Sequence, residues 1–330
     1  PVKIQLGSSL TEGRGAGNKP DIGRQAAIEN LQDIIDVLSH NTKMVFITAG
    51  MGGGTGTGAA PIIAKAAKEM GILTVAIVTI PFKWEGLLRI NQAIEGINEL
   101  RNYVDSLIIV QNEKLREIYG DLKLTNAFAK ADDVLTIAAK GIAEIITVHG
   151  RVNVDFADVQ TVMTNSGVAI LGSATSRGEN RALEAIQQAL NYPLLSNNDI
   201  RGAKSILLNI TSGEDEITVD EMSIITDYII NAVAKDTLLI WGTCNDPSLA
   251  DQICVTIIAT GFEANSIPEA YGKKKNIINF TLNDDINKKP STSHQVFEIT
   301  DKDGNSYPKQ TSIDFDISNV SNIEETIMKE

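Results

Sequence analysis

Apolar positions along the first third of the chain alternate between two rhythms. Residues 23–38 carry Ile28, Leu31, Ile35 and Leu38 at the spacing of one helical face, which predicts a helix. An apolar strand over 44–49 follows, then a glycine-rich run. Next comes a helical pattern over 59–70, with Pro61 in its first turn and Gly71 as its stop. Residues 73–79 are apolar without interruption, as in a parallel strand covered on both faces. A helix over 86–103 and a strand over 106–110 continue the series. Strand and helix at βαβ spacing predict a doubly wound α/β domain.

A longer helical pattern runs over 125–148, with Phe128, Ala131, Leu135, Ala138, Ile142 and Ile145 as its apolar stripe. A helix of that length between two α/β regions reads as a central connector. Helices near 179–190 and 219–234, with strands near 167–173, 203–210, 237–241 and 253–260, predict an α+β domain with a mixed sheet. After Phe262 the periodicity fades into Asn, Asp, Lys, Ser and Thr. Residues 263–330 are therefore expected to be a mostly disordered tail. Within it, the alternation of apolar and acidic residues over 313–317 could add a strand to a partner's edge.

Composition narrows the class. The chain has 330 residues, enough for two domains of ordinary size, and is 43% hydrophobic. Its net charge of -13 argues against nucleic acid as a partner, because phosphate contacts need clustered Lys and Arg. No apolar run is long enough for direct insertion across a bilayer, and the expected location is cytoplasmic. Cys244 and Cys254 lie in or beside apolar runs and read as small core residues. With only His40, His149 and His294 available, no histidine-based metal site is expected.

The chemistry concentrates in Gly50-Met51-Gly52-Gly53-Gly54-Thr55-Gly56-Thr57-Gly58. Six glycines and two threonines stand there between a buried strand and a helix. Glycine lets a ligand approach the backbone, and a helix N-terminus supplies unpaired N–H donors and positive potential. A nucleotide phosphate is the expected guest. No Lys-Ser or Lys-Thr pair follows, so this is not a Walker A loop. A dinucleotide-type spacing at Gly54, Gly56 and Ala59 is present, but the expected acid is missing where Thr79-Ile80-Pro81 stands. The missing acid makes a nicotinamide-dependent oxidoreductase the least favoured reading.

Elsewhere, local spacing leaves two meanings open. Glu85 and Arg89 are four apart, an ordinary ion pair on spacing alone. Asn112 follows a buried strand, where nucleotides sit in open α/β sheets. Phe128 and Asp132 are one helical turn apart. They could be a core ring and a solvated acid, or a base-stacking ring with a carboxylate that accepts from guanine N1 and its amine. Asp155 and Asp158 fit an N-cap and a first-turn acid.

Taken together, these segments carry a resemblance. The 50–58 run resembles the signature of the tubulin/FtsZ superfamily, in its FtsZ form. Gly15-Ala16-Gly17-Asn18-Lys19-Pro20 resembles that family's second phosphate-side loop, and Pro81-Phe82-Lys83-Trp84-Glu85-Gly86 its ribose-side loop. Asn153-Val154-Asp155-Phe156-Ala157-Asp158-Val159 resembles its hydrolysis loop, and Gly178-Glu179-Asn180-Arg181-Ala182 also matches. The resemblance covers residues 1–262 and not the tail.

It implies a Rossmann-like GTPase domain over 1–124, incomplete at its N-terminus. A central helix over 125–148 and a C-terminal domain over 149–262 carrying the hydrolysis loop would follow. It further implies that GTP or GDP binds with phosphates on Gly52, Gly53, Gly54, Thr55, Gly56 and Thr57. Glu85 would bind the ribose, Arg89 would reach the phosphate or guanine region, and Asn112, Phe128 and Asp132 would lie at the base. Asp155 and Asp158 would enter the pocket of the next subunit in a head-to-tail filament, polarise the attacking water and help hold a cation, with Mg2+ the expected one. Asn153 of the same loop would face the γ-phosphate. The implied setting is the bacterial division site, with membrane-tethering and division proteins reached through the tail.

The sequence also departs from the family. Relatives place a first strand, a phosphate loop with a Gly-Asn-Ala element and a second strand ending in Asn-Thr-Asp before the equivalent of Val2. Here the chain opens at Pro1 with a strand-like 2–6. The expectation is a fragment of a longer reading frame, and, if the chain truly starts at Pro1, weak GTP binding and low stability. Residues 323–330 are too generic to assign as a tether-binding peptide. An alternative function is a relative or fragment that binds filaments or nucleotide without hydrolysis.

Overall fold

A computed structural model describes residues 2–120, 123–148, 150–191 and 200–262. The tail expected over 263–330, with its 313–317 and 323–330 segments, lies outside the described residues. The helices are α1 (Ser8–Thr11), α2 (Pro20–Glu29), α3 (Leu31–Leu38), α4 (Thr55–Glu69), α5 (Leu87–Leu100), α6 (Asn112–Tyr119), α7 (Leu124–Thr147), α8 (Phe156–Met163), α9 (Arg181–Leu190) and α10 (Val219–Ala232). The strands are β1 (Met44–Gly50), β2 (Leu73–Ile80), β3 (Ser106–Gln111), β4 (Gly167–Ser176), β5 (Ser205–Ser212), β6 (Leu238–Asn245) and β7 (Ile253–Thr260).

All seven strands join one sheet in the order β1-β2-β3-β4-β7-β5-β6. β1 to β4 pair in parallel, β7 runs antiparallel to β4 and β5, and β5 and β6 are parallel. β4 is the joint. Its first residues, Gly167–Ala169, pair with β3, and from Ile170 onward it pairs with β7. Asp105 fixes that joint from inside, at 8% exposure. Its carboxylate accepts from Thr74 N–H (2.9 Å) and Asn165 N–H (3.3 Å). Its carbonyl accepts from Gly167 N–H (3.0 Å).

The uninterrupted apolar run of β2 is explained by two cores. Val75 and Ile77 face Ala138, Ile142 and Ile145 of α7. Ala76, Val78 and Ile80 face Ala60 and Ala64 of α4 and Ala93, Ile97 and Leu100 of α5. A third core sets α9 and α10 against Ile206, Leu208 and Ile210 of β5 and Ile253, Val255 and Ile257 of β7. Of the stripe predicted for 125–148, Ala131, Ala138, Ile142 and Ile145 are buried on α7, Leu135 is half-buried and Phe128 is exposed, while Val134, outside the stripe, is buried with them. The same face of α7 also meets Leu207 and Ile258.

Two local patterns resolve differently from their sequence reading. The helix expected over 23–38 breaks at Asn30 (φ −108°, ψ 23°). The Asn30 side chain accepts from Gly7 N–H at 2.9 Å and donates to Asp33 at 2.9 Å, a tertiary demand that helical spacing does not register. Residues 2–6 form no strand. Ile4 and Leu6 instead pack against Ile34, Leu38, Ala67 and Ile72.

Candidate functional site

The carboxyl ends of β1, β2 and β3 open into a cleft of about 280 Å³, the position where open α/β sheets bind ligands. Gly53, Glu85, Arg89, Asn112, Phe128 and Asp132, separate in sequence, all line it. Gly50, Met51, Thr79, Pro81, Ala131 and Leu135 complete the wall. Gly50, Met51 and Pro81 belong to the loops already singled out, whereas the sequence assigns no binding role to Thr79, Ala131 and Leu135.

The glycine loop divides its labour. Gly52 sits at φ +94°, and a Cβ there would meet Pro81 Cγ at 2.6 Å and Arg89 O at 2.7 Å. At Gly58 a Cβ would meet Pro20 O at 2.0 Å. Gly53 lines the cleft, and a Cβ there would meet nothing within 4 Å. Several glycines are therefore needed for backbone packing, while Gly53 leaves the cleft open. Thr57 is 3% exposed, and its hydroxyl accepts from Gly52 N–H at 2.8 Å. It closes the loop on itself and lines a different cavity, between α2, α4 and α5. Gly52, Gly54, Thr55, Gly56 and Thr57 do not line the cleft. The N–H groups of 55–57 belong to the first turn of α4, which has no intrahelical partners for them.

Opposite the loop, Glu85 is pinned. Oε1 accepts from Phe82 N–H (3.0 Å) and Oε2 from Arg89 Nη1 (2.9 Å). The ordinary ion pair that the spacing predicts is thus present, with both members on the cleft. Phe128 meets Phe82 and Trp84 edge-on, with centroids at 5.6 and 5.8 Å, while Phe82 and Trp84 stack on each other at 5.2 Å. Phe128 remains 40% exposed, so part of the ring is open on the cleft that it lines. Asn112 is the most informative wall residue. It is 6% exposed, and its buried Oδ1 has no hydrogen-bond partner. An acceptor in that state costs stability unless a ligand or water satisfies it.

Glu113, which sequence reasoning did not single out, lies beside Asn112 at 3% exposure. Its carboxylate accepts from Lys83 N–H (3.0 Å) and from Arg116 Nε (2.6 Å). Burial opposes its charge, but the Lys83 N–H and Arg116 outweigh that and hold the carboxyl below its usual range.

Asn153, Asp155 and Asp158 do not line the cleft. Asp155 is the N-cap of α8 and forms a reciprocal box with Asp158. Asp158 N–H donates to Asp155 Oδ1 (2.9 Å), and Asp155 N–H donates to Asp158 Oδ2 (3.1 Å). Asn153 Oδ1 accepts from Gly150 N–H at 2.7 Å. Asp155 and Asn153 are exposed and Asp158 half-buried. Among the described residues, no group of three or more His, Cys, Asp or Glu could hold a metal ion.

Arg181, from the 178–182 motif, is 4% exposed and lies apart from the cleft. It donates to Glu221 (2.6 and 3.2 Å) and to the carbonyls of Asp215, Glu216 and Asp251. Its role is to fold the 213–221 turn onto α9 and α10.

Comparison with known proteins gives two family matches. A "Tubulin/FtsZ family, GTPase domain" profile matches residues 1–120, and an "FtsZ family, C-terminal domain" profile matches residues 167–263. Cell division protein FtsZ of Porphyromonas gingivalis is 48% identical over 292 residues, 88% of this chain and 63% of that protein. The chain thus spans less than two thirds of that relative's length. FtsZ of Wigglesworthia glossinidia brevipalpis is 45% identical, over 86% of this chain and 72% of its own. Among solved structures, the empty FtsZ dimer of M. jannaschii superposes with a TM-score of 0.73 at 43% identity, covering 78% of this chain and 74% of its own.

Proposed function

We propose, on the premise that this chain belongs to the FtsZ family of the tubulin superfamily, that it binds and hydrolyses GTP at the cleft and assembles head to tail in cell division. The observation that carries the reading is Asn112 Oδ1, a buried acceptor left unpaired in a cleft whose other walls suit a nucleotide. Phe128 offers a stacking face and Asp132 a carboxylate for the guanine N1–H and amine, a donor pair that adenine lacks. Glu85 and Arg89 flank the sugar and phosphate, and the α4 N-terminus with its glycine loop receives the phosphates.

Hydrolysis is completed from outside the subunit. Asp155 and Asp158 are presented on a helix end away from the cleft. A second copy, docked through a heterologous contact, brings them and Asn153 to the γ-phosphate, where they orient and polarise the attacking water. Heterologous contacts of this kind do not close, so a filament results. Mg2+ would bind beside the nucleotide phosphates, with Asp155 and Asp158 of the second copy helping to hold it. The tail beyond Phe262 is the proposed contact with membrane-tethering and division proteins. The proposed location is the cytoplasmic face of the division site; no helix among the described residues is long and apolar enough to cross a membrane.

Nucleotide-dependent thermal shift tests the cleft. GDP raises the unfolding midpoint, ADP and NAD do not, and Asp132→Ala removes the preference for guanine. Equal protection by ADP would refute the guanine assignment.

A further inference from the structure

The turn that carries Glu85 and the helix that starts at Asn112 are neighbouring parts of the cleft wall, yet they lie about 30 residues apart in sequence. What ties them together is a single buried carboxylate. Glu113 occupies the first turn of α6, immediately after Asn112, and its side chain is 4% exposed. Its Oε2 accepts the Lys83 N–H at 3.0 Å, two residues before Glu85. The same turn is closed internally by Phe82 N–H on Glu85 and by Glu85 N–H on Phe82 O (3.0 Å each). The turn is therefore a small rigid unit, and a charge-assisted hydrogen bond to a buried carboxylate attaches it to α6. Such bonds are strong and directional. Trp84 is the next residue along, stacked on Phe82 and edge-on to Phe128. A shift of this turn moves Glu85 and the aromatic cluster together.

We propose that Glu113 is a positioning residue for the cleft. Its carboxylate holds the 82–86 turn against α6 and so sets the distance between Glu85 and Asn112 across the bound ligand. This role rests on the nucleotide reading above. Sequence spacing does not reveal it, because the partner of Glu113 is a backbone N–H on a distant turn.

A pair of substitutions at Lys83 isolates the bond. Lys83→Ala keeps the N–H and removes only the side chain. Lys83→Pro removes the N–H itself. Proline fits there, because Lys83 opens a short 3₁₀ turn and Phe82 before it is already extended (φ −63°, ψ 153°). The full chain carrying Trp241→Phe is the parent, since Trp84 and Trp241 are the two tryptophans of the sequence. GDP affinity is measured calorimetrically, and acrylamide quenching of Trp84 reads the turn without nucleotide.

Lys83→Pro is expected to weaken GDP about tenfold relative to Lys83→Ala, as loss of a hydrogen bond to a charged group implies. Glu113→Ala is expected to weaken it to a similar degree, and both increase Trp84 quenching. The double variant Lys83→Pro with Glu113→Ala is expected to bind no more weakly than the weaker single variant. If Glu113→Ala does not fold, the Lys83 pair decides by itself. GDP affinity equal in Lys83→Pro and Lys83→Ala overturns the positioning role, as do fully additive losses in the double variant. A parent that does not bind GDP overturns the nucleotide reading instead, a result separable from the first because it appears before any substitution at Lys83 or Glu113.

Discussion

Asn112→Ala separates a residue kept for binding from one kept for folding. In the free protein Asn112 Oδ1 is buried without a partner, a state that costs about 1–3 kcal/mol for a neutral acceptor. Truncation to Ala removes that cost. It also forfeits packing at a site that is 6% exposed, at about 1 kcal/mol for a small cavity next to an open cleft. The two effects oppose, so the free protein should lie between unchanged and about 2 kcal/mol more stable, several degrees at most in unfolding midpoint. The bound state has no such compensation. Losing a ligand hydrogen bond at a desolvated acceptor costs about 1–2 kcal/mol, which is about 5- to 30-fold in Kd. The assay is thermal unfolding across a GDP titration, because a ligand stabilises by RT ln(1 + [L]/Kd). At a fixed GDP concentration well above the parent Kd, the shift should shrink by the same amount, about 1–2 kcal/mol, while the ligand-free midpoint does not fall. Destabilisation of the free variant by about 3 kcal/mol with unchanged GDP affinity would refute the reasoning, and would mean that Asn112 serves the fold.

Three further outcomes follow. Asp158→Ala is expected to retain GDP binding and lose GTP turnover, with about 1 kcal/mol of stability lost from the broken α8 box; calorimetry and phosphate release measure the two separately. Asp105→Ala strands the N–H groups of Thr74 and Asn165 at the β3–β4 joint and is expected to cost about 3 kcal/mol in urea unfolding. Arg181 holds the Glu221 carboxyl below its usual range, against the opposing effect of burial. Because the folded value is the depressed one, this stabilisation is complete above the unfolded pKa of about 4.3 and is lost as pH falls through the folded value. Glu221→Gln should therefore flatten the acid limb of stability below about pH 4, read from unfolding midpoints between neutral and strongly acidic buffers.

The parts of the fold that sequence expressed are those governed by local periodicity and burial. The stripe from Phe128 to Ile145 predicted a helix over 125–148, and α7 runs Leu124–Thr147. The unbroken apolar run of 73–79 announced β2, whose two faces both lie in cores. Glu85, Arg89, Asn112, Phe128 and Asp132, which the family resemblance grouped and which their types and spacing alone left open to ordinary structural readings, all line the cleft. What stayed hidden depends on long-range backbone partners. Glu113 looks like any first-turn acid until Lys83 N–H is seen beside it. Thr57 looks like a phosphate ligand until Gly52 N–H claims its hydroxyl. The break at Asn30 answers to Gly7, which lies 23 residues away.

The central claim is a GTPase site divided between two copies of the chain, with the cleft on one and Asp155 and Asp158 on the other. GTP turnover per molecule, followed across a wide dilution series of the full chain at saturating GTP, tests it most directly. The account predicts specific activity that falls steeply toward zero on dilution, as neighbours that supply the acids are lost. Specific activity that stays constant down to the lowest concentration would contradict it, since each molecule would then hold a complete site of its own.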